Sequence, residues 1–419
     1  MKRGDSMEEI LFESEIACVM IARDESPYVQ EWLEYHHGLG VDKFYIYDNN
    51  NSQREKEIFE EVLIPWIDHG IVELIDFPGN LAQMPAYDDA ILNHRFDCRY
   101  MIFIDGDEFI VPKNGERLED ILNEYFSAGN NIGGFAINWR LFGSNGHETQ
   151  TKDGVLERFT MRAEEDFLRH RDIKTIVNPR RVRCFTNPHY ARYFVGCGAI
   201  DERKVSVPQG QNPQGTVERI QINHYYLKSR EEFFKKRQRG RADFPKNYSI
   251  EQFEAQDRNV IEDVVARDLF PQLKQISEIK FQRSRNDGSQ RALTNLNLML
   301  APILQNNSSD ENFYGQTEKF LTCFSIAHNS TSLSDDAQIK LKEIALECVN
   351  RSLEVSELES WDALLLFDML PEIIATQTEA SAKILGACKE VLPTMLEIAN
   401  ENIDWESYHW LSYFQRFLM

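Results

Sequence analysis

In the stretch "RYMIFIDGDEFIVP", residues 99–112, an apolar run from Tyr100 to Ile104 ends in three acids out of four: Asp105, Asp107 and Glu108. Phe109 and Ile110 resume the apolar pattern at once. Three chemistries suit such a stretch. It is a solvated strand end, an aspartate nucleophile, or a pair of hard oxygen ligands holding one divalent cation against phosphate oxygens. On the last reading Gly106 lets the backbone turn closely past the ligand. Other candidates are spread along the chain. His224 precedes two tyrosines at the end of "RIQINHYYL", His147 and Glu148 follow "GSNG", and Asp166 lies in "EEDF". Two basic runs stand out: Arg169, Arg171, Lys174, Arg180, Arg181 and Arg183, then Lys228, Arg230, Lys235, Lys236, Arg237, Arg239 and Arg241. A charge run is usually a solvated face; beside an active site it suits donor phosphates or an anionic acceptor.

The elements that must position these residues are readable. "EIACVMIAR", ending at Arg23, predicts a buried strand; Ser26 and Pro27 then predict a helix start, and the helix "YVQEWLEYHH" stops at Gly38. "KFYIYD" is a second strand, and "EKEIFEEVLIPWIDHG" a helix broken near Pro65. "IVELIDF" is a third strand, "AYDDAILNHRF" a helix and "YMIFID" a fourth strand. This alternation predicts a parallel sheet covered by helices. Ligands of such sheets sit beyond the carboxyl ends of the strands, where Arg23, Asp48 and Asp105 fall. From about 130 to 226 the pieces are shorter and strand-like. Ser229 and Glu232 then have capping-box spacing at the head of "SREEFFKKRQRGR". After about 250 the apolar spacing is helical to the end. The division expected is an α/β domain over 1–250 and an all-α domain over 251–419, with the polar "QNNSSDENFYG", 305–315, as the best linker.

Composition bounds the rest. The 419 residues carry a net charge of -22, which argues against general nucleic-acid binding. From Thr331 onward acids exceed bases by roughly ten. The seven cysteines form no CxxC pair, as expected of reduced, mostly buried thiols. The N-terminal "MKRGDSMEEILFESE" has no apolar core of a signal peptide. No window approaches the ~20 apolar residues of a membrane span. The expectation is a cytoplasmic protein, at most peripheral at the inner face of the membrane, where Phe233 and Phe234 could touch the surface.

Five segments in order decide among the readings: "MIARDESPYVQEWLEYHHGLGVDKFYIYDNNNS", "YMIFIDGDEFIVP", "WRLFGSNGH", "IKTIVNP" and "INHYYLKSREEFFKKRQRG". Together they resemble the family 92 glycosyltransferases, relatives of the family 2-like enzymes, over about 16–241. The resemblance implies a GT-A nucleotide-diphospho-sugar transferase fold. It implies Mn2+ (or Mg2+) held by a D-x-D, and transfer of a hexose, galactose from UDP-galactose foremost, with inversion onto a saccharide or glycolipid. Asp105 and Asp107 match the D-x-D, Arg23 the position after the first strand, Asp48 the acid that faces the base, and His224 the "HY" segment, as a third metal ligand. Asp24 stands where the family usually has Asn, and Gln53 and Arg54 stand where a second acid is usual.

The chemistry asks for more. A diphosphate leaving group is stabilised by a cation held between carboxylates. An inverting transfer needs a base for the acceptor proton, with Glu148 preferred and Asp166 second. Lys174 is expected on the donor phosphates and His147 on donor or acceptor sugar. The rivals are a haloacid-dehalogenase-like phosphatase with Asp105 as nucleophile, although Phe109 stands where that family has Thr or Val, and a non-catalytic interaction protein working through its helical tail. That tail, with apolar helix faces, is expected to cover a partner or a second copy of the chain.

Overall fold

The structure, a computed structural model, describes residues 14–238 apart from 96, 130 and 195, together with 250–284. It opens with strand β1 (Ser14–Ala22), helix α1 (Val29–Leu39), β2 (Lys43–Asp48), α2 (Gln53–Asp68), β3 (Val72–Asp76), α3 (Gln83–His94) and β4 (Cys98–Phe103). β1 pairs in parallel with β2 and β4, and β2 with β3, giving the order β3-β2-β1-β4. Side chains alternate between two cores, as the two-residue repeat of a strand requires. Ile16, Cys18 and Met20 pack with Trp32 and Leu33 of α1 and Phe59 and Leu63 of α2. Ala17 and Val19 pack with Ala86, Tyr87 and Ala90 of α3 on the other face. Burial on both faces is why these strands read as continuous apolar runs.

The chain continues with β5 (Glu108–Pro112), α4 (Leu118–Phe126), β6 (Ile132–Leu141), α5 (Val155–Arg158), β7 (Met161–Arg162), β8 (Ile173–Val177), β9 (Val182–Asn187), β10 (Tyr190–Tyr193), β11 (Gly198–Ile200), β12 (Ser206–Val207) and β13 (Ile220–His224). After these come α6 (Arg230–Gln238), α7 (Ile250–Gln256), β14 (Ile261–Glu262) and α8 (Val265–Ser284). The purely parallel sheet expected from the first four strands is not what forms. β8 runs antiparallel between β4 and β6, and β13 pairs antiparallel with β5 and parallel with β6. The link from β4 to β5 is only residues 104–107, too short for a parallel crossover, so β5 leaves β4 and joins β13. The result is a mixed α/β architecture with a ten-stranded mixed sheet.

Local expectations shift in instructive ways. Helix α1 begins at Val29, not beside Ser26, because the Glu25 carbonyl accepts from the Tyr28 and Val29 N–H groups and a turn comes first. The helix stops at Gly40, whose φ of 119° suits glycine. Gly38 lies inside it, where a Cβ would fall 2.1 Å from the Leu273 carbonyl oxygen of α8. Helix α2 runs through Pro65 to Asp68 without a break. The carbonyl that Pro65 cannot satisfy is that of Glu61, which is exposed to water. The chain past residue 250 begins as part of the sheet's unit, because Ala266, Leu269, Phe270 and Leu273 of α8 join the core that α1 and α2 build. The rest of the expected helical region, the acidic tail and the linker at 305–315 lie outside the described residues. Among the described residues no helix is long and apolar enough to cross a membrane.

Candidate active site

The Asp105–Gly106–Asp107 segment forms a tight turn between β4 and β5. The Glu108 N–H donates to the Asp105 carbonyl at 3.0 Å, and the Asp105 N–H donates to Glu108 Oε2 at 3.0 Å. Helix α1 steadies the far side: Trp32 Nε1 donates to the Glu108 carbonyl and the Tyr35 hydroxyl to that of Ile110, each at 3.0 Å. Gly106 is packed closely by Met20 and Glu25. A Cβ there would come to 3.1 Å from Met20 Sδ and 3.4 Å from the Glu25 side chain.

Each carboxylate of the turn has its own set of partners. Asp105 accepts from Gln83 Nε2 at 2.8 Å and from Lys174 Nζ at 3.1 Å. Asp107 accepts from Lys236 Nζ, and its Oδ1 lies 3.5 Å from His224 Nε2. Burial opposes charge on Asp107, but Lys236 and His224 outweigh it and hold its carboxyl well below the ordinary range. Asp105 is lowered too, against its burial, with Lys174 the main cause. Burial pushes the His224 imidazole down, toward the neutral form that a metal ligand needs. Its ring packs edge-on to Trp139, centroids 4.2 Å apart.

Lys174 is not free to meet donor phosphates. Its ammonium is buried between Asp105 and Glu108, the latter at 3.5 Å. Burial works against it, yet the two carboxylates hold its pKa well above the ordinary lysine value. Both Asp105 oxygens are thereby engaged, Oδ1 by Gln83 and Oδ2 by Lys174.

At the neighbouring strand ends Arg23 Nε donates to the Asn49 carbonyl at 2.9 Å and Nη2 to that of Gly79 at 3.2 Å. Asp48 is buried and accepts from the Asn50 N–H at 2.8 Å. Asp24 adopts φ 56° and donates its N–H to Asn50 Oδ1 at 2.7 Å. Asn and Asp share tolerance of that left-handed backbone, so the exchange of the family's Asn for Asp24 keeps the turn.

The other predicted residues lie apart from the D-G-D turn. His147 is tied into its loop, its Nε2 3.2 Å from the Arg158 carbonyl. Glu148 is exposed and paired with Arg230 at 3.7 Å, at the head of α6. Lys236 lies six residues along that helix, about 9 Å at 1.5 Å per residue. Asp166 is exposed in the turn before Leu168–Arg171. Beside Glu148 a cleft of about 740 Å³ opens between α1, α5 and α6, lined by Tyr28, Gln150, Arg158 and Glu231 among others. Some of the charges around it are paired: Arg158 with Glu232, Glu231 with Lys235, and Glu34 with Lys274.

Sequence reasoning missed Glu108, Gln83 and the particular reach of Lys236. Glu108 was the detectable one, a third acid heading the otherwise apolar strand "EFIVP". Its Oε1 and His224 Nδ1 lie 4.0 Å apart, and neither has a hydrogen-bond partner. Paired aspartate carboxylates such as Asp105 and Asp107 are the donor type that a hard divalent cation takes. Among the described residues no group of three or more His, Cys, Asp and Glu side chains is placed to hold a metal ion.

Residues 16–262 match the family profile "Glycosyltransferase family 92". The chain is similar to a glycosyltransferase family 92 protein of Ricinus communis, 28% identical over 145 residues, which cover 35% of this chain and 26% of that one. It is also similar to one of Oryza sativa subsp. japonica, 29% identical over 145 residues (35% and 24%). A third is from Arabidopsis thaliana, 26% identical over 172 residues (39% and 28%). The matches thus span about a quarter of the length of these curated relatives.

Proposed function

The chain belongs to glycosyltransferase family 92, and from that premise we propose a metal-assisted hexosyltransferase of GT-A type. The donor is a UDP-hexose, galactose foremost, and the acceptor a saccharide or glycolipid. The observation that carries the proposal is the Asp105–Gly106–Asp107 turn between β4 and β5, with His224 at the end of β13 3.5 Å from Asp107.

In the proposed reaction an acceptor hydroxyl oxygen bonds to the anomeric carbon from the face opposite UDP. The bond from that carbon to the β-phosphate oxygen breaks, and the hydroxyl proton passes to a base. Asp105 and Asp107, with His224 beside them, are the residues that would hold Mn2+ or Mg2+, and such an ion would supply neutralisation of the charge on a leaving diphosphate. Lys174 and Glu108 keep the turn in place. Arg23 and Asp48 line the strand ends proposed for the nucleotide. The cleft lined by Tyr28, Gln150, Arg158 and Glu231, with Gln150 two residues along the chain from Glu148, is the proposed acceptor site. That position keeps Glu148 ahead of Asp166 as the proposed base.

The test is calorimetry with UDP and Mn2+, followed by a panel of nucleotide sugars scored for Mn2+-dependent hydrolysis. Asp105→Asn and Asp107→Asn should each weaken Mn2+-dependent UDP binding of the folded protein roughly tenfold or more. Unchanged affinity in both variants rejects the site.

A further inference from the structure

Two lysines are buried beside the D-G-D turn, and they are matched differently. Lys174 sits between two carboxylates, which hold its pKa well above the ordinary lysine value. Lys228, in the link between β13 and α6, has a side chain 6% exposed. Burial pushes its ammonium down, and Glu25 does not make up the loss. The Glu25 carboxylate stands 3.5 Å from Nζ, and the centre of the Tyr28 ring 3.3 Å from it. Among the described residues Nζ donates no hydrogen bond, so the donors of a buried ammonium face one distant carboxylate and a ring. The backbone of Lys228 holds φ 54°, a conformation that a lysine adopts only where its surroundings impose it. Those surroundings join it to the turn. The Tyr225 N–H donates to the Asp107 carbonyl at 2.8 Å, Glu25 packs against Gly106, and the Lys228 charge helps to hold the Asp107 carboxyl down. Tyr28, under the ammonium, also lines the cleft proposed for the acceptor. Lys228 thus stands between the turn and the cleft, short of a full countercharge.

We propose that Lys228 is the residue that receives the donor's diphosphate and holds it as it leaves. This rests on the nucleotide-sugar reading above, and it moves the role expected of Lys174 to a lysine whose donors are unused. An anion arriving between the turn and the cleft supplies the countercharge that this ammonium lacks, and its oxygens accept the N–H groups that no described residue takes. When the bond from the anomeric carbon to the β-phosphate oxygen breaks, the electron pair stays on that oxygen. Lys228 stabilises the added charge by hydrogen bonding and keeps its proton. Glu25 then competes with the diphosphate for the same ammonium. That separates the proposal from an ordinary buried ion pair, in which loss of either member does the same damage.

The experiment compares the full chain with Lys228→Met, Glu25→Gln and the double variant that carries both. UDP is titrated calorimetrically at saturating Mn2+, and circular dichroism checks that each protein is folded. Lys228→Met should bind UDP roughly ten- to a hundredfold more weakly. Glu25→Gln should bind it as well as the unmodified chain or better. The double variant, which leaves neither member of the pair charged, should be as weak as Lys228→Met, and it supplies the measurement if the single variant does not fold. UDP binding that survives the loss of Lys228, or that weakens equally on loss of Glu25, overturns the assignment and leaves the transferase reading intact. An unmodified chain that fails to bind UDP with Mn2+ overturns both.

Discussion

Glu232 ties the first turn of α6 to the rest of the protein, and its replacement by Gln puts a number on that tie. Its Oε2 accepts from Arg158 Nη1 at 2.8 Å and from the Ser229 N–H at 3.0 Å. Its Oε1 accepts from Arg158 Nη2 at 3.1 Å and from the Tyr28 hydroxyl at 2.6 Å. Burial alone would raise its pKa, but Arg158, Ser229 and Tyr28 hold it at about 2, against about 4.3 in an unfolded chain. A difference of that size corresponds to roughly 3 kcal/mol. Removing one partner of a buried pair costs about 3–5 kcal/mol, so two independent routes meet near 3. Because the folded pKa is the lower one, the contribution is complete above about pH 4.3 and is lost as pH falls through about 2. Glu232→Gln keeps the size and loses the charge. In urea titrations it should be about 3 kcal/mol less stable at pH 7 and at pH 5, with the gap closing as the pH is taken below 4. A gap under about 1 kcal/mol at pH 7, or one that does not narrow in acid, refutes the reasoning.

Burial pushes His36 and His37 down to about 3 and His170 to about 4, so an unfolded chain takes up protons below about pH 6.5 that the folded one refuses. Melting temperature should therefore fall steadily between pH 7 and pH 5, approaching about 1.4 kcal/mol per pH unit for each histidine; a flat profile would count against their neutral burial. Gly38→Ala puts a methyl against the Leu273 carbonyl and should cost about 1–3 kcal/mol in urea titrations, whereas no loss would mean that α8 is not seated there.

The first four strands were legible because burial on both faces writes them as unbroken apolar runs, and the acids at their ends needed only that frame. The capping box at Ser229 and Glu232 was legible as well, being a purely local device. What could not be read was where distant pieces return. Nothing near Lys174 says that β8 slides in antiparallel beside β4 and carries that lysine under Asp105. Nothing in the acidic and basic run of α6 says that one of its lysines, rather than its neighbours, reaches Asp107. Helix α1 showed the limit of local signals: Ser26 has the right chemistry for a cap, but the Glu25 carbonyl closes a turn first, and Gly38 looked like a stop when it is a crossing point.

That crossing point sets a schedule for synthesis. Gly38 and Leu273 are joined in the finished protein but roughly 235 residues apart along the chain. At about 5–20 residues per second, the face of α1 awaits its cover for roughly 10–50 s after it leaves the ribosome. Throughout that interval Tyr35 and its neighbours present an apolar flank. A nascent chain stalled before Val265 is then the species most exposed to association with its own kind, and synonymous changes that slow translation just upstream of α8 lengthen its life without altering a single side chain.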